Sequence, residues 1–198
     1  MVHSGCSRQV PEGEVLPESF FARSSDEVAA ELIGKILWRQ GFGGGRLTEV
    51  EAYLPVDDPA SHAAAGKTRR NAAMFGPPGH LYVFLSYGVH LLLNLVCDRE
   101  GVGSAVLVRS YGPIDGKDGT ADWARGPGVV GRRLGASLDM SGLRLGEESG
   151  VFVVDDGERP RVGRTVRVGI SRGGGLALRH YMIGSRCVSG PARMIEER

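Results

Sequence analysis

His80-Leu-Tyr-Val-Phe-Leu-Ser-Tyr-Gly-Val-His-Leu-Leu-Leu-Asn-Leu-Val-Cys97 holds two alternating runs placed back to back. Successive side chains of a strand point to opposite faces, so the first run sets His80, Tyr82, Phe84 and Ser86 against Leu81, Val83 and Leu85. The second sets His90, Leu92 and Asn94 against Val89, Leu91, Leu93 and Leu95. Between them stands Tyr87-Gly88, and Gly88 can take the positive φ of a tight hairpin turn. The spacing predicts a β-hairpin with one aliphatic face and one face of rings and polar groups.

Working outward, Ser24 and Glu27 match a capping box that opens a helix closed by Gly34. A shorter helix is expected over Pro17–Arg23. Lys35 to Gln40 and Arg46 to Tyr53 read as paired strands joined by Gly41–Gly45. Pro55 to Arg70 reads as a polar loop, and Gly76-Pro-Pro-Gly79 breaks the chain before the hairpin. Ser104 to Tyr111 reads as a further strand, followed by a Gly- and Asp-rich loop to about Asp122. Gly126-Pro-Gly starts a short helix with Pro in its first turn. Weaker strands are expected at Val151–Val154, Thr165–Ile170 and His180–Ile183. The expectation is an α+β protein: a single compact domain, 1–198, with a curved, mainly antiparallel sheet, flanking short helices and a protruding hairpin. Residues 1–14 are expected to form a flexible end.

Composition excludes several classes. The 198 residues suit one core, and 31 glycines far exceed the usual share of about 7%. No stretch approaches the roughly 18 apolar residues of a membrane span, and no signal-peptide pattern opens the chain. Cys6, Cys97 and Cys187 are odd in number and widely spaced, which fits a reduced cytoplasmic protein. The histidines and cysteines show no paired metal-ligand spacing, and the glycine runs lack phosphate-loop endings, so neither metal nor cofactor is expected. The net charge of +1 is uneven: up to Ala60 there are five Lys/Arg against ten Asp/Glu, and from Ser61 nineteen against thirteen. The second part suits a polyanion, though a solvated surface carries such an excess too.

Three groups of residues could carry chemistry. In Leu47-Thr-Glu-Val-Glu-Ala-Tyr53, the strand period puts Glu49, Glu51 and Tyr53 on one face, with His62 in the loop that follows. A carboxylate near a water can act as a general base, and neighbouring rings can dry the site and hold a flat substrate. A solvent-facing charge and a hydrogen-bonded rim are the plainer alternatives. Tyr87 is an unusual residue for a turn; it is either a contact to a satellite core or a wedge inserted between base pairs. Lys67, Arg69 and Arg70 in the preceding loop, and Arg109 in a strand, could meet phosphates. Cys97, in an apolar strand, reads as core.

These residues resemble a known family. Thr48-Glu-Val-Glu-Ala-Tyr53, Ser61-His62, Arg70-Asn71, Met74-Phe-Gly-Pro-Pro-Gly79, Leu81-Tyr-Val, Tyr87-Gly88 and Asn94 are similar, in one order and register, to the motifs of the alkyladenine (3-methyladenine) DNA glycosylases. The likeness is tightest from Leu47 to Pro113, with flanking matches at Phe20-Phe21, Gly126-Pro127 and Arg167–Ile170. It implies a monofunctional glycosylase of base-excision repair that flips an alkylated or deaminated purine out of double-stranded DNA and hydrolyses its glycosidic bond. It implies that Glu51 is the general base and that Tyr53, His62 and Phe84 stack on the base. Asn94 would sit at the pocket floor, Tyr87 would fill the vacated stack, Arg109 would help hold water and phosphate, and the Ile170 backbone would position the water. Phe84 stands where the animal enzymes carry Tyr, and so lacks a hydroxyl; His90 also replaces an aromatic. The expected partner is duplex DNA containing damaged purines, bound by a monomer with no membrane contact.

Two other classes share features of this reading. A catalytically silent nucleic-acid-binding module could use the same wedge, but binding a polyanion needs no carboxylate. A hydrolase of free nucleosides or sugars would need neither Tyr87 nor the basic loop. A bifunctional lyase would need an amine for a Schiff base, and only Lys35, Lys67 and Lys117 could supply one.

Overall fold

The computed structural model describes residues 10–115 and 123–190. Strand β1 is Glu14–Val15, helix α1 Glu18–Phe21 and helix α2 Ser25–Leu32. Strands β2 (Ile36–Arg39), β3 (Gly43–Tyr53), β4 (Leu81–Ser86), β5 (His90–Val96), β6 (Ala105–Gly112) and β7 (Ala124–Arg125) follow. Helix α3 (Pro127–Arg133) precedes β8 (Val151–Asp155), β9 (Val162–Thr165) and β10 (Arg179–Met182). Among the described residues all ten strands join one antiparallel sheet, ordered β1-β8-β2-β3-β6-β5-β4, with β7 added to β6 and β10 linking β9 to β3. β3 is the hub: its first part pairs with β2, its second part pairs on the same edge with β10, and β6 runs along its other edge. Since one edge serves two partners, the sheet forks and curls, as the α+β reading expects.

The hairpin forms in the expected register, Leu81 opposite Leu95 through Ser86 opposite His90. Its aliphatic face (Leu81, Val83, Leu93, Leu95) enters the main core beside α2's Val28, Ala29 and Leu32. Each such fully buried aliphatic contributes about 1.5–3 kcal/mol relative to exposure. Tyr82 and Phe84, on the other face, pack in a separate cluster with Met74 and Tyr53. One alternation thus separates core from site. At the tip, both Tyr87 and Gly88 have positive φ, 50° and 71°.

The Ser24 hydroxyl caps α2, accepting from the Glu27 amide and donating to its carboxylate. The next residue, Ser25, donates to the Tyr53 carbonyl and so pins the end of β3 to the helix. Helix α3 lies so close to β5 that a Cβ at Gly131 would collide with the Leu91 carbonyl. Its last turn is closed by the Leu134, Gly135 and Ala136 amides, and just beyond it the Arg39 guanidinium donates to the Leu134 and Gly135 carbonyls.

Several expectations change. β3 starts at Gly43 rather than Arg46, because Gly44 and Gly45 have no Cβ to strike the Leu37 and Gly112 carbonyls. The strand expected at Thr165–Ile170 ends at Thr165 instead. Beyond it the Val168 backbone is spent on side chains of the site, and Gly169 turns to φ 76°. Glu14, counted in the expected N-terminal loose end, pairs with Asp155; residues 1–9 lie outside the described part. So do residues 116–122 of the Gly- and Asp-rich loop. Among the described residues no helix is long and apolar enough to cross a membrane.

Candidate active site

Glu51 has no exposed surface. Its Oε2 accepts from Arg109 Nη1 at 3.1 Å and from the Tyr53 hydroxyl at 3.2 Å, and its Oε1 accepts from the Val168 amide at 2.8 Å. Two residues back on the same strand face, Glu49 is equally buried. Its Oε1 accepts from Arg109 Nε, Arg179 Nε and the Ser189 hydroxyl; its Oε2 accepts from the Ser110 hydroxyl and the Ser189 amide. Arg109, on the paired strand β6, bridges the two carboxylates. Burial pushes the Glu49 carboxyl up, yet Arg109 and Arg179 outweigh it and hold it below the ordinary value. The register of β3 against β6 shifts on both sides of Glu49, where the strand packs around this cluster.

Tyr53 closes the strand. Burial first, and the Glu51 carboxylate second, push its hydroxyl well above the usual tyrosine range, so it remains a neutral donor to Glu51. The Arg167 guanidinium lies over its ring, 4.6 Å from the centroid, and donates to both oxygens of Asp58 and to the Ala52 carbonyl. Asp58 in turn accepts from the Leu54 and Ala60 amides. That knot fixes the start of the loop carrying His62. Asn71 fixes its end, donating to the His62 and Gly66 carbonyls and accepting from Thr68.

His62 Nδ1 lies 2.8 Å from the Tyr82 hydroxyl, and its ring meets Phe84 edge-on at 4.5 Å. Tyr82 and Phe84 stack at 5.5 Å, an aromatic arrangement that holds the imidazole in place. Burial, then the Arg70 cation, lowers the His62 value below 6.5; burial raises Tyr82 to about 12. Both effects on His62 favour the neutral imidazole.

These groups surround a cavity of about 680 Å³, within the range of small-molecule sites. Tyr53, His62, Phe84, Asn94 and Arg109 line it, as do Arg70, Tyr87 and Ile170. Asn94 is buried and donates to the Tyr82 carbonyl, with its side chain fixed by the hairpin pairing. Tyr87 stands at the rim, 91% exposed. Gly126-Pro127-Gly128 at the start of α3 lines it as well. Lys67 and Arg69, also expected near the site, are exposed and do not line the cavity. Nor does Glu51, which lies just behind the wall made by Tyr53, Arg109 and Val168.

The residue whose backbone reaches Glu51 and Arg109 is Val168: its amide donates to the first and its carbonyl accepts from the second at 3.3 Å. Ile170, named from the sequence for a backbone role, lines the cavity two residues later. The functions of Arg167, Asp58 and Tyr82 were not read from the sequence either. Arg167 and Asp58 lie 109 positions apart, with nothing in the local pattern to join them. Tyr82 could have been found, since it shares a strand face with Phe84. Among the described residues no three His, Cys, Asp or Glu gather as a metal site.

A sequence model of the family described as Methylpurine-DNA glycosylase matches residues 19–186 of the chain. A protein of Burkholderia lata is 41% identical over 192 residues, covering 90% of this chain and 93% of its own length. One from Rubrobacter xylanophilus is 43% identical over 182 residues, covering 85% and 93%. One from Methanoculleus marisnigri is 41% identical over 191 residues, covering 88% and 98%. All three carry the name "Putative 3-methyladenine DNA glycosylase".

Proposed function

The chain belongs to the methylpurine-DNA glycosylase family, and from that premise we propose that it excises damaged purines from duplex DNA by hydrolysis with Glu51 as general base. The observation that carries this reading is the buried Glu51 carboxylate, held by Arg109, Tyr53 and Val168 behind a cavity walled by aromatic rings.

A carboxylate offers roughly four acceptor sites. Arg109, Tyr53 and Val168 use three, which leaves one on Oε1; since Glu51 has no exposed surface and does not line the cavity, a water reaches that site as the bound nucleotide parts the wall of Tyr53, Arg109 and Val168. That water donates one hydrogen to Oε1 and the other to the Val168 carbonyl, and its lone pair faces the anomeric carbon of a nucleotide in the cavity. As the glycosidic bond breaks, positive charge develops on the sugar, and the nearby carboxylate stabilises this oxocarbenium-like state. The electron pair of the bond leaves with the base; Glu51 takes the water's proton, and the hydroxyl completes the abasic sugar. A positively charged alkylpurine leaves readily as a neutral base.

Extruding a nucleotide costs a few kcal/mol, least where a lesion weakens pairing. Stacking on Tyr53, His62 and Phe84 offsets that by about 1–3 kcal/mol per base contact. Tyr87, exposed on its turn, fills the gap left in the duplex, and Arg70 at the rim meets backbone phosphate. Hydrolysis rather than lyase chemistry fits the described lysines: Lys35 is buried in an ion pair with Asp155 at 2.8 Å, and Lys67 does not line the cavity, while Lys117 lies outside the described residues.

The test is to incubate the protein with duplexes bearing 3-methyladenine, 7-methylguanine, hypoxanthine or ethenoadenine and to measure released base and alkali-labile sites. Released base without strand scission supports the reading. Lesion binding with no release from any of the four would leave a binding module instead.

A further inference from the structure

Arg167 occupies an unusual position. Its side chain is fully buried, its guanidinium stands over the Tyr53 ring, and its two terminal nitrogens are committed to Asp58 and the Ala52 carbonyl. Its Nε is buried without an acceptor among the described residues. A buried donor left unpaired is costly, so ring contact and the Asp58 fork, rather than hydrogen-bond satisfaction, dictate where this cation lies. Arg167 adjoins Val168, which holds Glu51, and Asp58 starts the loop that carries His62.

We infer that Arg167 is a specificity-determining residue that biases the cavity toward neutral purine lesions over positively charged ones, through the ring of Tyr53. The inference rests on the reading of Tyr53 as a wall on which the extruded base stacks. A cation over an aromatic face is attracted by the negative charge of the π system. When one face already holds a guanidinium, a second cation stacked on the other face draws on the same electron density and is repelled across the ring. A neutral base does not meet that penalty. Asp58 balances the charge in sum, but the guanidinium, not the carboxylate, stands over the ring. Glu49 and Glu51 are matched in number by Arg109 and Arg179, and what pull Glu51 exerts is directed at the sugar, for neutral and cationic lesions alike.

Release rates alone do not separate this role from a structural clamp, because a cationic base leaves readily and a loosened site slows neutral lesions more. The discriminating quantity is therefore a ratio of affinities, for duplexes bearing 7-methylguanine (cationic) over otherwise identical ones bearing hypoxanthine (neutral), measured in a Glu51→Gln background that stops turnover in the parent and the variant alike. In the double variant Arg167→Met with Asp58→Asn, which removes both charges and keeps volume, the ratio rises more than about threefold over the parent, the scale of a cation–π contact. A smaller change or a fall overturns the inference. Should that protein fail to fold, Arg167→Lys keeps the pairing with Asp58 but withdraws the planar cation from the ring. It then raises the ratio by more than about twofold, and a smaller change overturns the inference. A wild-type protein that releases neither base overturns the glycosylase reading and this inference together. Wild-type release with an unmoved ratio in the folded variant removes only the role of Arg167.

Discussion

The Val168 amide donates to Glu51 Oε1 across 2.8 Å, so a loop 117 residues further along the chain completes the cage of the candidate base. A Glu on a strand is ordinarily a solvent-facing charge. Here the strand supplies the carboxylate, its neighbour β6 supplies Arg109, and a segment that declines to be a strand supplies the last donor.

Glu51→Gln keeps the shape of the side chain and removes the base. Lesion affinity stays near wild type, while single-turnover base release falls by at least about 10²-fold, the usual contribution of a general base. Equal rates in the two proteins would sink the assignment.

Tyr87→Gly separates function from folding. The residue is 91% exposed and sits at φ 50°, a region glycine enters without steric cost. Thermal stability is therefore no lower than wild type. Lesion-duplex affinity falls about tenfold, in keeping with the loss of one stacked ring. Electrophoretic mobility shifts and a melting curve measure both quantities, and unchanged affinity would count against the wedge.

Glu49→Gln is a stability variant. It leaves Arg109 and Arg179 short of a buried counter-charge and costs about 3–5 kcal/mol in urea unfolding at pH 7. Because the folded-state value of Glu49 is lowered, its stabilisation is fully present above the ordinary 4.5 and is lost as pH falls through the folded value. The gap between wild type and variant therefore narrows in acid. A gap that stays constant from pH 7 down to about 3 would contradict the charge argument.

His62 titrates below 6.5, through burial and then the Arg70 cation. Arg70→Gln removes the second cause, so the His62 ring-proton titration followed by NMR moves upward. No movement would place Arg70 too far from the ring to act on it.

The hairpin was legible because an antiparallel strand pair needs only local information: a period of two and a turn that accepts positive φ. The capping box of Ser24 and Glu27 is local for the same reason. The segment after Thr165 was not legible. Its residues have ordinary strand character, and only the arrival of Glu51 and Arg109 from other strands diverts the Val168 backbone out of a ladder.

By itself the sequence determined the class of fold and the hairpin with its two unlike faces, and its motifs pointed to Glu51, Tyr53, His62, Phe84, Asn94 and Arg109; the structure lines one cavity with all of these but Glu51. These follow from strand periodicity and from ordered motifs, which survive in one dimension. Only the tertiary structure decided how the charges are matched: Arg109 between Glu49 and Glu51, Arg167 between Asp58 and Tyr53, and Val168 against Glu51. A buried ion pair depends on distances of about 3 Å between groups that the chain separates by up to 117 positions, and no periodicity encodes which partner arrives.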